Sequence, residues 1–453
     1  MRVAGGEETI DETLRGAVSP APPEPGVVVV LAAEKPAALA LALGRDGLTL
    51  GRSSLEGAFA DDDRISRKHV RLSREAGRFR VEDLGSRNGT YVNGHKLAGA
   101  GTYDAPLLIR VGRSLLWPVE DVRPFLGSRP TADAGVPVLG GRLRRAWGEI
   151  ALASKAGDTL YIRGESGSGK ELAARAFHEA HFGGASDAPF VAVNCAAIPE
   201  GLAERLLFGA RRGAYSGANA DADGYCQAAD HGTLFLDEIA ELDPLVQAKL
   251  LRVLENREVL ALGAARPRKV ELRVCAASHK QLREQVAAGR FREDLYFRIG
   301  RPEVELPALR ERVDELPWLI ARELRAADAR LNASVSLVEA CAQRPWPGNV
   351  RELLGEIRSA AQRALAAGSV LVEREHLAAE AGAAMPAPTV PLHPAQLTRA
   401  QQPSDQEIEQ ALAASGGNVR GTARALGMHR NQLRRWLEKH RGANAPTARP
   451  GDS

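Results

Sequence analysis

Gly164-Glu165-Ser166-Gly167-Ser168-Gly169-Lys170 stands between a strand-like run, DTLYIRG (158–164), and a helical one, ELAARAFHEA (171–180). A glycine-rich turn that leaves a strand and opens a helix can aim backbone N–H groups at phosphate oxygens, and the helix N-terminus adds a favourable dipole. Lys170 is then placed to pair with the β- and γ-phosphates of a nucleotide such as ATP. The generic motif ends in Ser or Thr, which binds Mg2+; here that position is Glu171. Two βα units later, TLFLDE (233–238) is an apolar strand running into two acids. Asp237 at its tip can hold Mg2+, directly or through water, and Glu238 can polarise an attacking water as a general base. An isolated acidic pair reads as a solvated turn. Behind a P-loop it reads as the second half of a nucleotide site.

The same βα rhythm extends on both sides. PFVAVNC (189–195), GTLFLDE (232–238) and VELRVCAAS (270–278) are apolar strand-like runs with helical stretches between them, which predicts a parallel sheet covered by helices. After LPALRER (306–312) the pattern is helical only, as in a small all-α lid. Upstream, LTLGR (48–52), HVRLSR (69–74), RFRVEDL (78–84), TYVNG (90–94) and LLIRVG (107–112) are short, alternating and punctuated by Gly, Asn or Asp, which predicts an all-β sandwich. Downstream lie two or three short helices broken at Gly416-Gly417 and Gly427. Proline- and glycine-rich stretches divide the chain. The expected organisation is a tail (1–25), a β-sandwich (26–122), a linker (123–137), an α/β subdomain (138–305), a helical lid (306–380), a second linker (381–403), a helix-turn-helix (404–441) and a closing tail (442–453).

A net charge of +3 over 453 residues excludes a polybasic nucleic-acid binder, so any DNA contact has to come from a local patch. Cys195, Cys226, Cys275 and Cys341 are far apart without CxxC spacing, which argues against a disulfide framework or a zinc site and for a reducing compartment. The longest apolar run, Val27 to Ala33, is too short to cross a bilayer, and the acidic start MRVAGGEETIDET lacks the apolar core of a signal peptide. The expectation is a cytoplasmic protein with no membrane partner.

GESGSGKE, FVAVNCAAIPEGLAERLLFG, GAYSGA, GTLFLDEIAEL, FREDLYFRI, LPALRER and WPGNVREL occur in that order over nearly all of 138–380. Together they resemble the AAA+ ATPase domain of sigma-54-dependent transcription activators, the bacterial enhancer-binding proteins. In that family the P-loop ends GKE, so the resemblance makes Glu171 the expected variant. The family hexapeptide GAFTGA is matched at Gly213, Ala214, Tyr215, Ser216, Gly217 and Ala218, with Tyr for Phe and Ser for Thr. The resemblance implies an exposed tip that moves with nucleotide state and touches sigma-54 RNA polymerase. Asn194 matches the family asparagine that orients the catalytic glutamate; by itself it reads as a strand-end cap. Arg292 and Arg298 match arginine fingers that reach a neighbouring subunit's γ-phosphoryl, which implies a ring, hexameric in the family, where either alone would read as part of a basic helix. Arg351 resembles the sensor arginine that contacts nucleotide within its own subunit.

Some positions depart from the pattern. The sensor Thr-Asn is Ser278-His279, the usual Glu after the hexapeptide is Gln227, a common Arg is Ala261, and a common His-Glu is Ala210-Arg211. If Gln227 and Ala261 face one another, both partners of a polar link are gone, which costs less than orphaning one. These changes leave hydrolysis in place and loosen the expected coupling of nucleotide to the tip.

The front block carries Gly51-Arg52, Ser66-x-x-His69, Asp83-Leu84-x-Ser86-x-Asn88-Gly89-Thr90 and Asn93-Gly94. This spacing resembles a forkhead-associated (FHA) domain, which binds phosphothreonine. A phosphate dianion needs a guanidinium, hydroxyls and backbone N–H groups converging from loops. The resemblance puts Arg52, Ser66 and Arg67 on the phosphate, Arg87 at a further contact and Asn88 on the peptide backbone. His69 reads as a buttress of the loops and Asn93-Gly94 as a hairpin turn. The phosphothreonine comes from a partner protein or from the chain's own tail, where Thr9 and Thr13 lie among acids. At the other end, IEQALAASGGNVRGTARALGMHRNQLRRWL (408–437) is locally basic and resembles the Fis-type helix-turn-helix. His429, Arg430, Asn431, Gln432 and Arg434 are candidates for base edges or phosphates, and Arg435 for phosphate. Such a unit works as a dimer on a palindrome, here enhancer DNA.

The expected function is therefore an ATP- and Mg2+-dependent activator of sigma-54 RNA polymerase, a homo-oligomer from dimer to hexamer, gated by phosphothreonine. The alternatives are a non-activating, DNA-bound phosphopeptide scaffold and an AAA+ ATPase acting on another partner.

Overall fold

Val27, Val28, Val29 and Val30 are all buried, although successive side chains of a strand point to opposite faces. The strand holding them therefore needs cover on both sides, and the fold supplies it. The computed structural model describes residues 22–54, 59–127, 129–130, 133, 135–184, 187–199, 201–215, 218–384, 405–415, 418–426, 433 and 437. The described residues up to Ala384 form one compact unit and those from Asp405 another.

Ten strands open the chain: β1 (Gly26–Ala32), β2 (Lys35–Ala42), β3 (Leu48–Leu50), β4 (Val70–Glu75), β5 (Arg78–Asp83), β6 (Thr90–Val92), β7 (His95–Lys96), β8 (Ala100–Tyr103), β9 (Ile109–Val111) and β10 (Ser114–Val119). They make a six-stranded sheet, β2-β1-β10-β9-β6-β7, facing a four-stranded one, β3-β4-β5-β8. Val27, Val29, Leu116, Ile109 and Val111 from the first sheet meet Leu50, Val70, Leu72, Phe79 and Val81 from the second to form the sandwich core. Asn93 (φ 46) and Gly94 (φ 83) make the tight β6–β7 turn, a pairing of left-handed residues that Asn-Gly suits.

The α/β layer follows: α1 (Gly141–Ala156), β11 (Thr159–Arg163), α2 (Lys170–Phe182), β12 (Phe190–Asn194), α3 (Ala203–Phe208), α4 (Tyr225–Ala228), β13 (Thr233–Asp237), α5 (Pro244–Asn256), a small hairpin of β14 (Glu258–Val259) and β15 (Arg268–Lys269), β16 (Arg273–Ser278), α6 (Leu282–Ala287), α7 (Glu293–Ile299) and β17 (Glu303–Glu305). Five strands form a parallel sheet in the order β12-β13-β16-β11-β17. Helices cover both faces, so the strands read as continuous apolar runs. The tips of β13, β16 and β11 lie side by side, and ligands of such sheets sit at these carboxyl ends.

The lid comprises α8 (Leu316–Ala327), β18 (Asn332–Ala333), α9 (Val335–Ala342), α10 (Asn349–Ala366) and β19 (Leu371–Val372). It is helical apart from a two-residue parallel pairing of β18 with β19. Its apolar core does not stop at the lid. Leu316, Leu319, Ile320 and Leu324 of α8 and Leu337 and Val338 of α9 belong to the same cluster as Val28, Val30, Leu115 and Trp117 on the outer face of the six-stranded sheet. Arg110, stacked 3.8 Å from the centre of the Tyr91 ring, donates from Nε to Glu339 Oε2 of α9 at 2.8 Å, and the Val335 N–H donates to Glu34 Oε1 at 3.1 Å. The stretch expected as a linker takes part too. Phe125 packs edge-on against Trp117 at 5.2 Å and is buried in the shared core, as is Val138 just beyond that stretch. Burying side chains of this size is worth about 1.5–3 kcal/mol each, which favours the joint over solvent exposure.

In the second unit, α11 (Asp405–Ala414) and α12 (Val419–Ala425) pack through Ile408 and Ala423 with Leu433.

Candidate active site

The P-loop leaves β11 and runs into α2, with Lys170 at the first helical position. Gly167 (φ +74) and Gly169 (φ +106) adopt backbone conformations that L side chains avoid. At Gly167 a side chain is excluded twice over, because a Cβ would sit 2.2 Å from the Gly348 carbonyl of the lid. Lys170 is buried, 6% exposed; its Nζ donates to the Gly164 carbonyl at 3.1 Å and to Glu238 Oε1 at 3.0 Å. Glu171 faces solvent and pairs with Arg175 one turn on at 2.9 Å.

Asp237 and Glu238 stand at the tip of β13. Burial raises the Asp237 carboxyl above its ordinary value, against the pull of Lys170. Burial works the same way on Glu238, but Lys170 and His279 outweigh it and hold that carboxyl below the usual range. Glu238 has φ +53, left-handed backbone at a non-glycine residue, of the kind that persists where surrounding structure enforces it. A cavity of about 500 Å3 lies over these residues. Leu143, Trp147, Leu319 and Leu354 line its apolar side, and Lys170, Asp237, Glu238 and Asn194 its polar side. Val136 and Pro137, from the stretch after the β-sandwich, also line it.

The lid is fastened to the P-loop by three residues that sequence reading passed over. Asn349, fully buried, donates from Nδ2 to Glu165 Oε2 and to the Ser166 carbonyl, each at 3.0 Å, while its Oδ1 accepts from the Leu309 N–H at 2.8 Å. Arg310 makes a two-pronged pair with Glu165 at 2.9 and 2.6 Å. Arg312 donates to the Ser168 carbonyl at 3.1 Å and pairs with Glu315, and Glu315 and Asp314 accept from the N–H groups of Gly140 and Gly141 at the start of α1. The signal was present in the quoted LPALRER and WPGNVREL, but nothing local says that these residues reach across to residue 165. Arg351 lines the cavity and donates to Ser166 Oγ at 3.3 Å.

Asn194 is not on Glu238. Its Oδ1 caps the turn after β12 by accepting from the Ala196 N–H at 3.0 Å. Arg292 and Arg298 lie outside the cavity. Arg292 pairs with Asp294 at 2.7 Å and Arg298 donates to the Leu254 carbonyl at 3.1 Å, with Phe297 between them 70% exposed. Gln227 is satisfied within its own neighbourhood, donating to the Phe208 carbonyl and accepting from the Gly224 N–H. Gly213 and Ala218 meet, the Gly213 N–H donating to the Ala218 carbonyl at 2.9 Å. Tyr215 is 38% exposed beneath Arg205, and Ser216 and Gly217 lie outside the described residues.

A Mg2+ ion fits this donor set. Among the described residues no cluster of three or more His, Cys, Asp or Glu side chains could hold a metal by itself. Mg2+ does not need one, since it is bound by one or two carboxylates together with substrate phosphates. Asp237, at the polar side of the cavity, would supply the carboxylate.

At the far end of the β-sandwich a second group of phosphate-type donors converges. Arg52 spans a neighbouring loop, Nε to the Ile65 carbonyl at 3.0 Å and Nη2 to the Asp63 carbonyl at 2.8 Å. Ser66 Oγ accepts from the Arg87 N–H at 3.1 Å, and Asn88 Nδ2 donates to the Arg64 carbonyl at 2.7 Å. Arg67 is exposed beside them, and its carbonyl would be 2.1 Å from a Cβ at Gly51. His69, buried, accepts at Nδ1 from the Ser66 N–H and bonds the Gly89 carbonyl through Nε2, the buttress expected of it. The DNA-reading candidates His429, Arg430, Asn431, Gln432, Arg434 and Arg435 lie outside the described residues.

The cavity, its buried lysine and its paired acids define a P-loop ATPase module joined to a β-sandwich. Three domain families match the chain in order: FHA domain at 48–106, Sigma-54 interaction domain at 141–305, and bacterial regulatory protein, Fis family, at 405–440. The transcriptional regulatory protein ZraR of Salmonella typhimurium is 38% identical over 316 residues, covering 68% of this chain and 69% of that protein. The hydrogenase transcriptional regulatory protein HoxA of Bradyrhizobium diazoefficiens is 40% identical over 310 residues, 64% of this chain and 62% of that one. A crystal structure of NtrX from Brucella abortus in complex with ATP covers 68% of this chain and 69% of that chain at 27% identity, with a TM-score of 0.48. The chain belongs to the sigma-54-dependent transcriptional regulators: it is a nucleotide-binding ATPase that activates sigma-54-dependent transcription, with an FHA domain before the ATPase and a DNA-binding helix-turn-helix after it. Among the described residues no helix is long and apolar enough to cross a membrane.

Proposed function

We propose that the chain assembles into a ring, up to a hexamer, in which ATP hydrolysis displaces the Gly213–Ala218 loops against sigma-54 RNA polymerase and opens the promoter. The observation that carries this reading is the meeting of Lys170 with Glu238 at 3.0 Å, under a lid pinned to the same P-loop, in a chain that also holds the hexapeptide. Lys170 and the P-loop backbone bind the β- and γ-phosphates, with Gly164, Glu165, Ser166, Gly167, Ser168, Gly169 and Glu171 shaping the turn and Arg351 closing from the lid. Asp237 would hold Mg2+, which when bound supplies positive charge to the transferring phosphoryl group. Glu238 takes the proton of the attacking water. Arg292 and Arg298 do not line their own cavity, which suits fingers that serve a neighbour.

Arg52, Ser66, Arg67, Arg87 and Asn88 read a phosphothreonine, from a partner protein or from the chain's own acidic tail. The core shared by sheet and lid supports transmission of that event to the lid, and through Arg310 and Asn349 to the P-loop. His429 to Gln432, with Arg434 and Arg435, contact enhancer DNA, placing the ring near its promoter.

The test is open-complex formation by purified sigma-54 polymerase, with ATP against a non-hydrolysable analogue. ATP alone should support opening. Opening with the analogue, or ATP cleavage without any engagement of the sigma factor, would refute the reading.

A further inference from the structure

The residue that grips the catalytic carboxylate is not the one the resemblance nominates. Glu238 has both oxygens engaged, Oε1 by Lys170 at 3.0 Å and Oε2 by His279 Nδ1 at 2.7 Å. The His279 N–H, at 3.3 Å, and the Ser278 hydroxyl, at 3.4 Å, lie on the same Oε2. Asn194 meanwhile caps its own turn. Sheet register explains the contact. β13 and β16 pair in parallel with Leu236 opposite Ala276, so two residues further Glu238 comes level with Ser278. The left-handed backbone at Glu238 then turns its side chain across the strand tips rather than along its own strand. An ionised carboxylate only accepts hydrogen bonds, so the ring nitrogen facing it carries the proton, and the imidazole is held as the Nδ1–H form.

The two grips differ in what ATP does to them. Lys170 belongs to the P-loop and is drawn to phosphate when nucleotide enters, which frees Oε1. His279 follows the last residue of β16 and lies outside the P-loop. We propose that His279 is the positioning residue of the general base: it keeps Glu238 anchored through Oε2 while the released Oε1 faces the water. The water's proton then passes to Oε1 as its oxygen bonds to the γ-phosphorus and the bridging bond to the β-phosphate breaks, leaving ADP and phosphate. On this account the departure from the family's Thr-Asn at Ser278-His279 gives this chain an anchor for Glu238. The inference rests on the ATPase reading given above.

Three variants of the full chain separate anchoring from bulk. Asn carries its amide nitrogen where histidine carries Nδ1, whereas Gln carries its amide nitrogen one atom further out. His279→Ala and His279→Gln should lower kcat by about tenfold or more with little change in KM for ATP, and His279→Asn should restore most of kcat. Asn194→Ala should change kcat far less than His279→Ala. Independently of turnover, 15N-histidine-labelled, nucleotide-free protein should show by NMR the Nδ1 shift of a protonated, hydrogen-bonded ring nitrogen, which changes in Glu238→Ala. Wild-type kcat in His279→Ala, failure of His279→Asn to rescue, or KM rising in step with the fall in kcat would each overturn the assignment of anchor while leaving the ATPase reading intact. Absence of ATP cleavage by the wild-type chain would instead remove the reading on which it stands.

Discussion

Two regions of this chain are proposed to hold a phosphate, and they keep their cations in opposite ways. At the β-sandwich loops Arg52 is exposed and rests on two neutral backbone carbonyls, those of Ile65 and Asp63. At the P-loop Lys170 is buried and rests on the carboxylate of Glu238. A phosphate arriving at Arg52 competes with weak, uncharged acceptors, so it can bind and leave without disturbing other charges. A phosphate arriving at Lys170 has to displace the carboxylate proposed as general base. The first arrangement suits a docking site; the second ties ligand entry to rearrangement of the groups that cleave it.

The sharpest way to break this contrast is Lys170→Ala. We expect ATP turnover to fall by at least about a hundredfold, with the chain still folded by circular dichroism, because the charge lost is one aimed at the transferring group. Undiminished hydrolysis would show that the ion pair with Glu238 is structural only. Arg52→Ala comes next. Binding of a phosphothreonine peptide should weaken by on the order of 2 kcal/mol, roughly thirtyfold in Kd by calorimetry, while peptide-free ATP turnover stays at its wild-type rate. A loss of turnover in that variant would mean that the two sites are coupled even without peptide. Asn349→Ala tests whether the P-loop owes its stiffness to the lid. It leaves the Leu309 N–H and Glu165 short of a partner, and should cost about 1.5 kcal/mol in denaturant unfolding together with a raised KM for ATP. The smallest effect is expected from Ser66→Ala, which removes the acceptor of the Arg87 N–H; about 1 kcal/mol of peptide affinity should go, read in the same titration. A larger loss than that of Arg52→Ala would make the hydroxyl, and not the guanidinium, the centre of the docking site.

How much of this was legible in the amino-acid order depended on whether a feature is local. The P-loop, the acidic strand tip and the hexapeptide are contiguous, and each states its chemistry in one short run; the FHA pattern is spread over residues 51–94 and is legible through its spacing. The β-sandwich, the parallel sheet and the lid helices followed from periodicity. What could not be read were contacts between distant segments. Asn349 and Arg310 lie far along the chain from Glu165, and neither residue type announces its partner. The contact of His279 with Glu238 depends on strand register, which the run VELRVCAAS does not specify. Asn194 took the strand-end cap that its residue type alone suggests, not the role its motif suggests. One long-range feature did leave a trace. A strand reading VVVVL, and another reading LLWPV after its opening serine, carry apolar side chains at successive positions, where a strand with one face in water would alternate. The missing alternation was the mark of a second buried face.

That second face decides what kind of surgery the molecule tolerates. Trp117, Val28 and Val30 lean on α8 and α9, so cutting away the front module to obtain a simplified ATPase would strip those helices and leave bare hydrocarbon in water. Such a truncate would report on stickiness and clumping as much as on control. Silencing the module in place, by point changes at its loops, is the cleaner route to asking what it contributes.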